Sequence, residues 1–105
     1  MLEVRIGDIG TRFILVAWNQ AADAVLPIND ADVLEIDFRK PDGSVVTKTA
    51  SLVTDGTDGQ FYYDSVEGFL DAAGAWSAEG YIEKPSWQGH TSRIKFSVAD
   101  VLLER

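Results

Sequence analysis

Hydrophobic and polar positions alternate most cleanly in three places along this chain. In residues 33–39, Leu34, Ile36 and Phe38 alternate with Glu35, Asp37 and Arg39. That is the period of a strand with one buried and one wet face. In residues 75–84, Trp76, Ala78, Gly80 and Ile82 share one face, and Ser77, Glu79, Tyr81 and Glu83 the other. In residues 90–98, Ile94, Phe96 and Val98 point inward while Arg93, Lys95 and Ser97 point outward. Pro41-Asp42-Gly43 follows the first run. Proline presets φ and glycine supplies the positive φ that other residues resist, so the spacing predicts a hairpin closing onto residues 44–53.

The rest of the chain divides at similar intervals. Residues 2–6 read as a short first strand, closed by Gly7-Asp8-Ile9-Gly10. Residues 12–19 read as a second. Their unbroken apolar stretch from Phe13 to Trp18 implies cover on both faces, by a loop, a neighbouring strand or another subunit. Residues 20–32 read as a long polar connection anchored by Leu26 and Ile28 around Pro27, which argues against a central strand there. Thr54-Asp55-Gly56-Thr57-Asp58-Gly59 is dense in turn formers and leads into a strand at 60–64. Residues 66–74 form a connection with room for one helical turn, and residues 85–89 form a turn. Seven strands without an amphipathic helix of ordinary length indicate an antiparallel sandwich or barrel, with Trp76 as the central aromatic. The domain is expected to span residues 1–98. Residues 99–105 form a tail or strand extension carrying Val101, Leu102 and Leu103.

The length of 105 residues suits one domain with one core. There is no cysteine, which excludes disulfides, iron–sulfur clusters and thiolate zinc sites. Seventeen acidic residues against nine basic ones give a net charge of −8. The basic residues are scattered, so a phosphate backbone or an anionic membrane surface is not an expected partner. No apolar run approaches the roughly 20 residues of a membrane-spanning helix. The N-terminus shows no signal-peptide pattern.

Candidate chemistry is sparse. His90 is the only histidine, without a Gly-x-Ser-x-Gly elbow or a second histidine to share a metal. It reads as a polar residue at a strand edge, and no catalytic residue is assigned. Asp55 and Asp58, and the second acidic loop of Asn29, Asp30 and Asp32, lack the ligand ladder of a calcium loop and read as turn chemistry. No cofactor or metal is expected. The acids sit on turns and wet faces rather than opposed across a cleft, as a glycosidase needs. Trp87, between Pro85 and Gly89, is the better candidate. Its ring either packs on its own domain or contacts a partner protein or a sugar. One of Tyr62 and Tyr63 must face outward, because neighbours on a strand point to opposite faces.

A set of turns and core positions carries a family resemblance. The set comprises Ile6-Gly7-Asp8-Ile9-Gly10-Thr11-Arg12-Phe13, then Ile36-Asp37-Phe38-Arg39-Lys40-Pro41-Asp42-Gly43-Ser44, and Thr47-Lys48-Thr49-Ala50. It continues with Thr54 through Tyr63, Leu70-Asp71-Ala72-Ala73-Gly74-Ala75-Trp76, and the Pro85-Ser86-Trp87 loop. Together these resemble the immunoglobulin-like virion structural proteins of tailed bacteriophages and prophages. They are similar to the N-terminal domain of the baseplate upper protein family. The resemblance implies an antiparallel immunoglobulin-like β-sandwich of about seven strands. It also implies a non-enzymatic component of a tail, baseplate or neck, made in the host cytoplasm and built into the virion in symmetric copies. Proteins of that family usually continue past this domain, so the chain is expected to be either a stand-alone decoration or connector protein, or a piece of a longer one.

The expected partners are therefore other virion proteins, with a homo-oligomer as a further possibility and with neither nucleic acid nor membrane. The expected working surface comprises Trp87, Trp18 with the other outward residues of 13–18, and Val101, Leu102 and Leu103. The competing expectation is a recognition module that binds a host-surface glycan or protein through its aromatic loops.

Overall fold

The computed structural model describes residues 4–103. Leu2 and Glu3 of the first expected strand, and Glu104 and Arg105 of the expected tail, lie outside the described residues. Within them the fold is all-β. Eleven strands run in order: β1 (Val4–Arg5), β2 (Arg12–Val16), β3 (Trp18–Asn19), β4 (Ala24–Val25), β5 (Val33–Arg39), β6 (Val45–Thr49), β7 (Ser51–Leu52), β8 (Gln60–Asp64), β9 (Gly74–Lys84), β10 (Trp87–His90) and β11 (Ile94–Ala99). They form three sheets. The largest has the order β1-β11-β9-β5-β6, with β10 also on β9; the others are β2-β8-β7 and the β3-β4 hairpin.

Eleven strands replace the seven expected: two expected strands are cut where the chain changes partner at small residues, β4 forms within the expected connection 20–32, and β10 forms ahead of a last strand that begins at Ile94 rather than at residue 90. At Ala50 the chain leaves one sheet for the other. Ala50 N–H still donates to the Leu34 carbonyl (2.9 Å), whereas Val53 N–H donates to Gln60 (3.2 Å). The expected strand at 44–53 is thereby cut into β6, paired with β5, and β7, paired with β8. Such a switch turns a corner between layers. At Ala17 the N–H donates to the Gly59 carbonyl (2.8 Å) while the carbonyl accepts from Leu26 (3.0 Å). This separates β2 from β3. The expected turn at 85–89 is shorter than its composition suggests: only Pro85 and Ser86 turn, and Trp87 already pairs with Lys84. One pair is parallel, β1 on β11, so the sheet is mixed rather than purely antiparallel. The connection at 66–74 closes one turn bond, Phe69 N–H to Val66 (3.1 Å), without becoming a helix.

The first hairpin forms as its turn residues dictate. Gly43 has φ 90°, its N–H donates to Lys40, and Asp42 Oδ1 accepts from the backbone and hydroxyl of Ser44. The alternation in β9 and β11 also appears as expected, with Trp76, Ala78, Gly80 and Ile82 all buried. The layers meet on aromatic rings. Phe13 of β2 stands edge-on to Phe38 of β5 at 5.4 Å, and Phe69 meets Phe38 at 4.8 Å. Trp76 stacks on Phe96 at 5.9 Å. Its Nε1–H donates to the Ala72 carbonyl (3.0 Å), which satisfies the one polar atom of a ring that is otherwise fully buried.

Gly80 of β9 sits directly against Phe61 of β8. A Cβ there would lie 2.9 Å from Phe61 Cε2 and closer still to Cζ, with Thr91 Cγ2 at 2.9 Å on its other side. Phe61 is completely buried, so its ring has little room to retreat. Gly80→Ala is expected to cost about 1–3 kcal/mol by overpacking, measured by urea unfolding. In the double variant Gly80→Ala/Phe61→Leu the loss is expected to be smaller than the sum of the two single losses, since the substitutions share one space.

Candidate functional site

The outer face of the β2-β8-β7 sheet is the most unusual surface of the molecule. Residues 13–18 are apolar throughout, yet their burial alternates. Phe13, Leu15 and Ala17 are buried, while Ile14 (44% exposed), Val16 (43%) and Trp18 (50%) face outward. Within the described residues the second face of this run has no cover. Trp18 pairs with Val25 across the β3-β4 hairpin, and Val25 is exposed as well. Its turn is tied by Asn19 Oδ1, which accepts from Ala22 N–H (3.3 Å), and by Asp23 at φ 51°. On β8, Tyr62 lies opposite Ile14. It is the outward tyrosine of the pair, since Tyr63 turns inward against Phe38 and Phe69.

Polar groups on this face are tied to one another. Arg12 donates through Nε and Nη2 to both carboxylate oxygens of Asp64 (2.8 and 3.0 Å), and its guanidinium lies 3.8 Å over the Tyr62 ring. These hydrogen bonds hold the Asp64 carboxyl below its usual range. The opposite side of the molecule differs in kind. There the outer face of β5 and β9 carries Glu35, Asp37, Arg39, Glu79 and Glu83, with Arg93 on Glu79 at 3.0 Å. Tyr81 donates to Glu83 (2.7 Å), and that bond raises its pKa.

The other sequence candidates lie elsewhere. Trp87 opens β10 rather than a loop, and is 38% exposed. Its ring lies over Gly89, where a Cβ would come within 2.6 Å of Cζ2. Part of the ring therefore rests on its own strand. Val101 is half-buried, whereas Leu102 and Leu103 are exposed beside a hollow of about 830 Å³, lined also by Ile6, Ile9 and Leu70. Ile14 and Val16 share the outer face of β2, Trp18 pairs with Val25 in the adjoining β3-β4 hairpin, and Leu102 and Leu103 line the same hollow as Ile9. Trp87 is on neither patch.

Ile14 and Val16 were visible to sequence reasoning only as members of an apolar run. Val25 was missed because the hairpin was read as loop. Its signal was a short polar turn between Trp18 and a lone valine. Ile9 was read only as part of a turn.

The residues considered for chemistry are engaged locally. Asp55 Oδ1 accepts from the N–H and hydroxyl of Thr57 (3.0 and 2.7 Å), and these bonds lower its pKa. Asp58 accepts from Thr54 (2.8 Å) and Gln60 (3.0 Å). Among the described residues no group of three or more His, Asp or Glu side chains is gathered to hold a metal ion. His90 pairs with Tyr81, ring to ring at 5.1 Å.

Two predictions test this surface. Phe13→Ala is expected to cost about 3–5 kcal/mol, and its neighbour Ile14→Ala no more than about 1 kcal/mol, both by chemical unfolding. Equal losses would mean that the outer face is covered. By carbon-detected NMR titration, Asp64 is expected to ionise below an ordinary aspartate and to return toward the ordinary value in Arg12→Gln. Because its folded pKa is depressed, the stabilisation from this pair is present above the unfolded pKa and is lost as pH falls through the folded one.

Residues 2–104 match the family model described as the BppU N-terminal domain, that of the baseplate upper protein. No curated protein matches the chain.

Proposed function

The chain belongs to the BppU N-terminal domain family, a structural family of the phage baseplate and not a known enzyme family, and we propose that it works as a virion assembly module through protein–protein contacts. Membership implies a place in the virion and contacts with other virion proteins. The single observation that carries the finer reading is the uncharged apolar surface of Ile14, Val16, Trp18 and Val25 on a chain with a net charge of −8. Large apolar side chains grouped on one face are the usual mark of an interaction site.

Trp18 is the central anchor of that contact, because exposed tryptophans on apolar surfaces are enriched among hot spots. Residues 99–105, with Val101, Leu102 and Leu103, supply a second contact at the Ile9 end, and Trp87 a peripheral one. The domain of residues 1–98 is the rigid body that presents them. Its two facing β layers, packed around the buried Trp76, are read as an immunoglobulin-like sandwich. Against a sugar-binding site at Trp18, its cross-strand partner is the aliphatic Val25, whereas a sugar needs hydrogen-bonding groups beside the stacking surface.

The test is localisation by electron microscopy of particles induced from the strain that carries the gene. Antibodies raised against the chain are expected to label the tail end of the particle. Label confined to host lysate would reject the reading. Trp18→Glu is expected to weaken partner binding by about 2 kcal/mol or more and to deplete the protein from purified particles, while leaving its melting curve near that of the parent.

A further inference from the structure

We propose that β2 pairs edge-to-edge with β2 of a second copy of this chain, antiparallel and centred on Ile14, to make one continuous six-stranded sheet. This deepens the assembly reading above and rests on it. The observation behind it is the direction of the backbone groups. β2 is the edge strand of its sheet. Ala17 N–H donates to Gly59, and the Thr11 carbonyl accepts from Ser65. Both fit the register that pairs Arg12 with Asp64 and Val16 with Gln60. In an antiparallel ladder the bonded residues alternate. Residues 11, 13, 15 and 17 therefore bond to β8, and Arg12, Ile14 and Val16 aim their N–H and C=O groups at the open edge. No described group meets them there.

Three other sheet edges are blunted. β7 and β1 are two residues long, and β6 carries Lys48. Short strands and lysines are ordinary protections against edge pairing. β2 has five residues, with Ile14 and Val16 at its centre and end. The second copy fits for reasons of register and charge. Centred on Ile14, the pairing sets Ile14 against Ile14 and Arg12 against Val16, so no like charges stand opposite. Arg12 is already neutralised by Asp64. Continuing the register carries Trp18 past the second copy's Gly10, toward its Ile9, which is 68% exposed. Two exposed apolar side chains would then cover each other.

Size-exclusion chromatography with light scattering, run on the full chain over a range of concentrations, reads the mass. It is expected to rise from 11.5 kDa toward double that value. Ile14→Lys is expected to weaken the dimer by about tenfold or more, since two lysines directly opposite repel. Val16→Lys should weaken it also, and Val45→Lys on β6 should not. Circular dichroism confirms that each variant is folded. Hydrogen exchange supplies a readout that a general loss of stability would not mimic. In the concentrated sample the amides of Ile14 and Val16 become protected, and on dilution they lose protection while Phe13 and Leu15 keep theirs.

A monomer at every concentration overturns the proposal, as does a dimer whose Ile14 and Val16 amides exchange as fast as in the dilute chain. A monomer that still labels the phage tail overturns this inference alone. A dimer with protected edge amides, in a protein whose antibodies find no virion, overturns the baseplate reading and leaves the dimer standing.

Discussion

Phe61 can enter the core only because residue 80 has no side chain. Its ring occupies the space a Cβ would take, between the two main layers. The same glycine lies at the joint between β10 and β11, where β9 has no strand along that edge. Thr91 closes the gap. Its N–H donates to the Gly80 carbonyl (3.0 Å), and its hydroxyl accepts from Gly80 N–H (2.9 Å). Both backbone groups of Gly80 are thus satisfied without a neighbouring strand, as buried backbone requires. The position of β8 follows from this contact, and β8 carries β2 on one edge and β7 on the other. Where the apolar face points is therefore set from inside, by a missing methyl group.

The legible part of the fold was the part governed by the two-residue period. β5, β9 and β11 each bury one side and wet the other, and their sequences state it. The Pro41-Asp42-Gly43 turn was equally readable because only a few residues satisfy its dihedrals. What the period does not carry is the identity of a strand's neighbour. Ala17 and Ala50 look like ordinary strand residues, yet at each of them the hydrogen-bond partner changes and one strand becomes two. Strand direction is likewise absent from the period, so the parallel β1–β11 pair had no signature. In Pro85-Ser86-Trp87 the turn-forming composition extends beyond the turn, because Gly89 serves the Trp87 ring rather than the chain reversal.

The candidate site was half legible for a related reason. An apolar run without alternation says that both faces of a strand avoid water, but not what covers the second face. The structure divides the question. Phe13, Leu15 and Ala17 are covered by the protein itself, and Ile14, Val16 and Trp18 are not. The unbroken hydrophobicity therefore belongs partly to the fold and partly to the exposed surface on which the proposed contact is built. Val25 completes the patch by pairing with Trp18, a relation that exists only once the hairpin has closed.

Charge decides which surfaces of such a protein can meet. With seventeen acidic residues and nine basic ones, two copies approaching at random repel each other. The outer face of β5, β9 and β11 is heavily ionised, with Glu35, Asp37, Glu79 and Glu83 sharing it with Arg39, Arg93 and Lys95. Pressing two such faces together would strip these charged groups of water. The β2-β8 face holds one ion pair, Arg12 with Asp64, which has no net charge and whose cation already lies over Tyr62. Apolar attraction draws surfaces together without regard to direction. The cost of desolvating charged surface elsewhere supplies the direction, because it leaves this one side open to close contact. In the assembly proposed above, the charged surface that keeps the chain dispersed also selects the side that meets a partner, the side on which β2 has unpaired backbone groups.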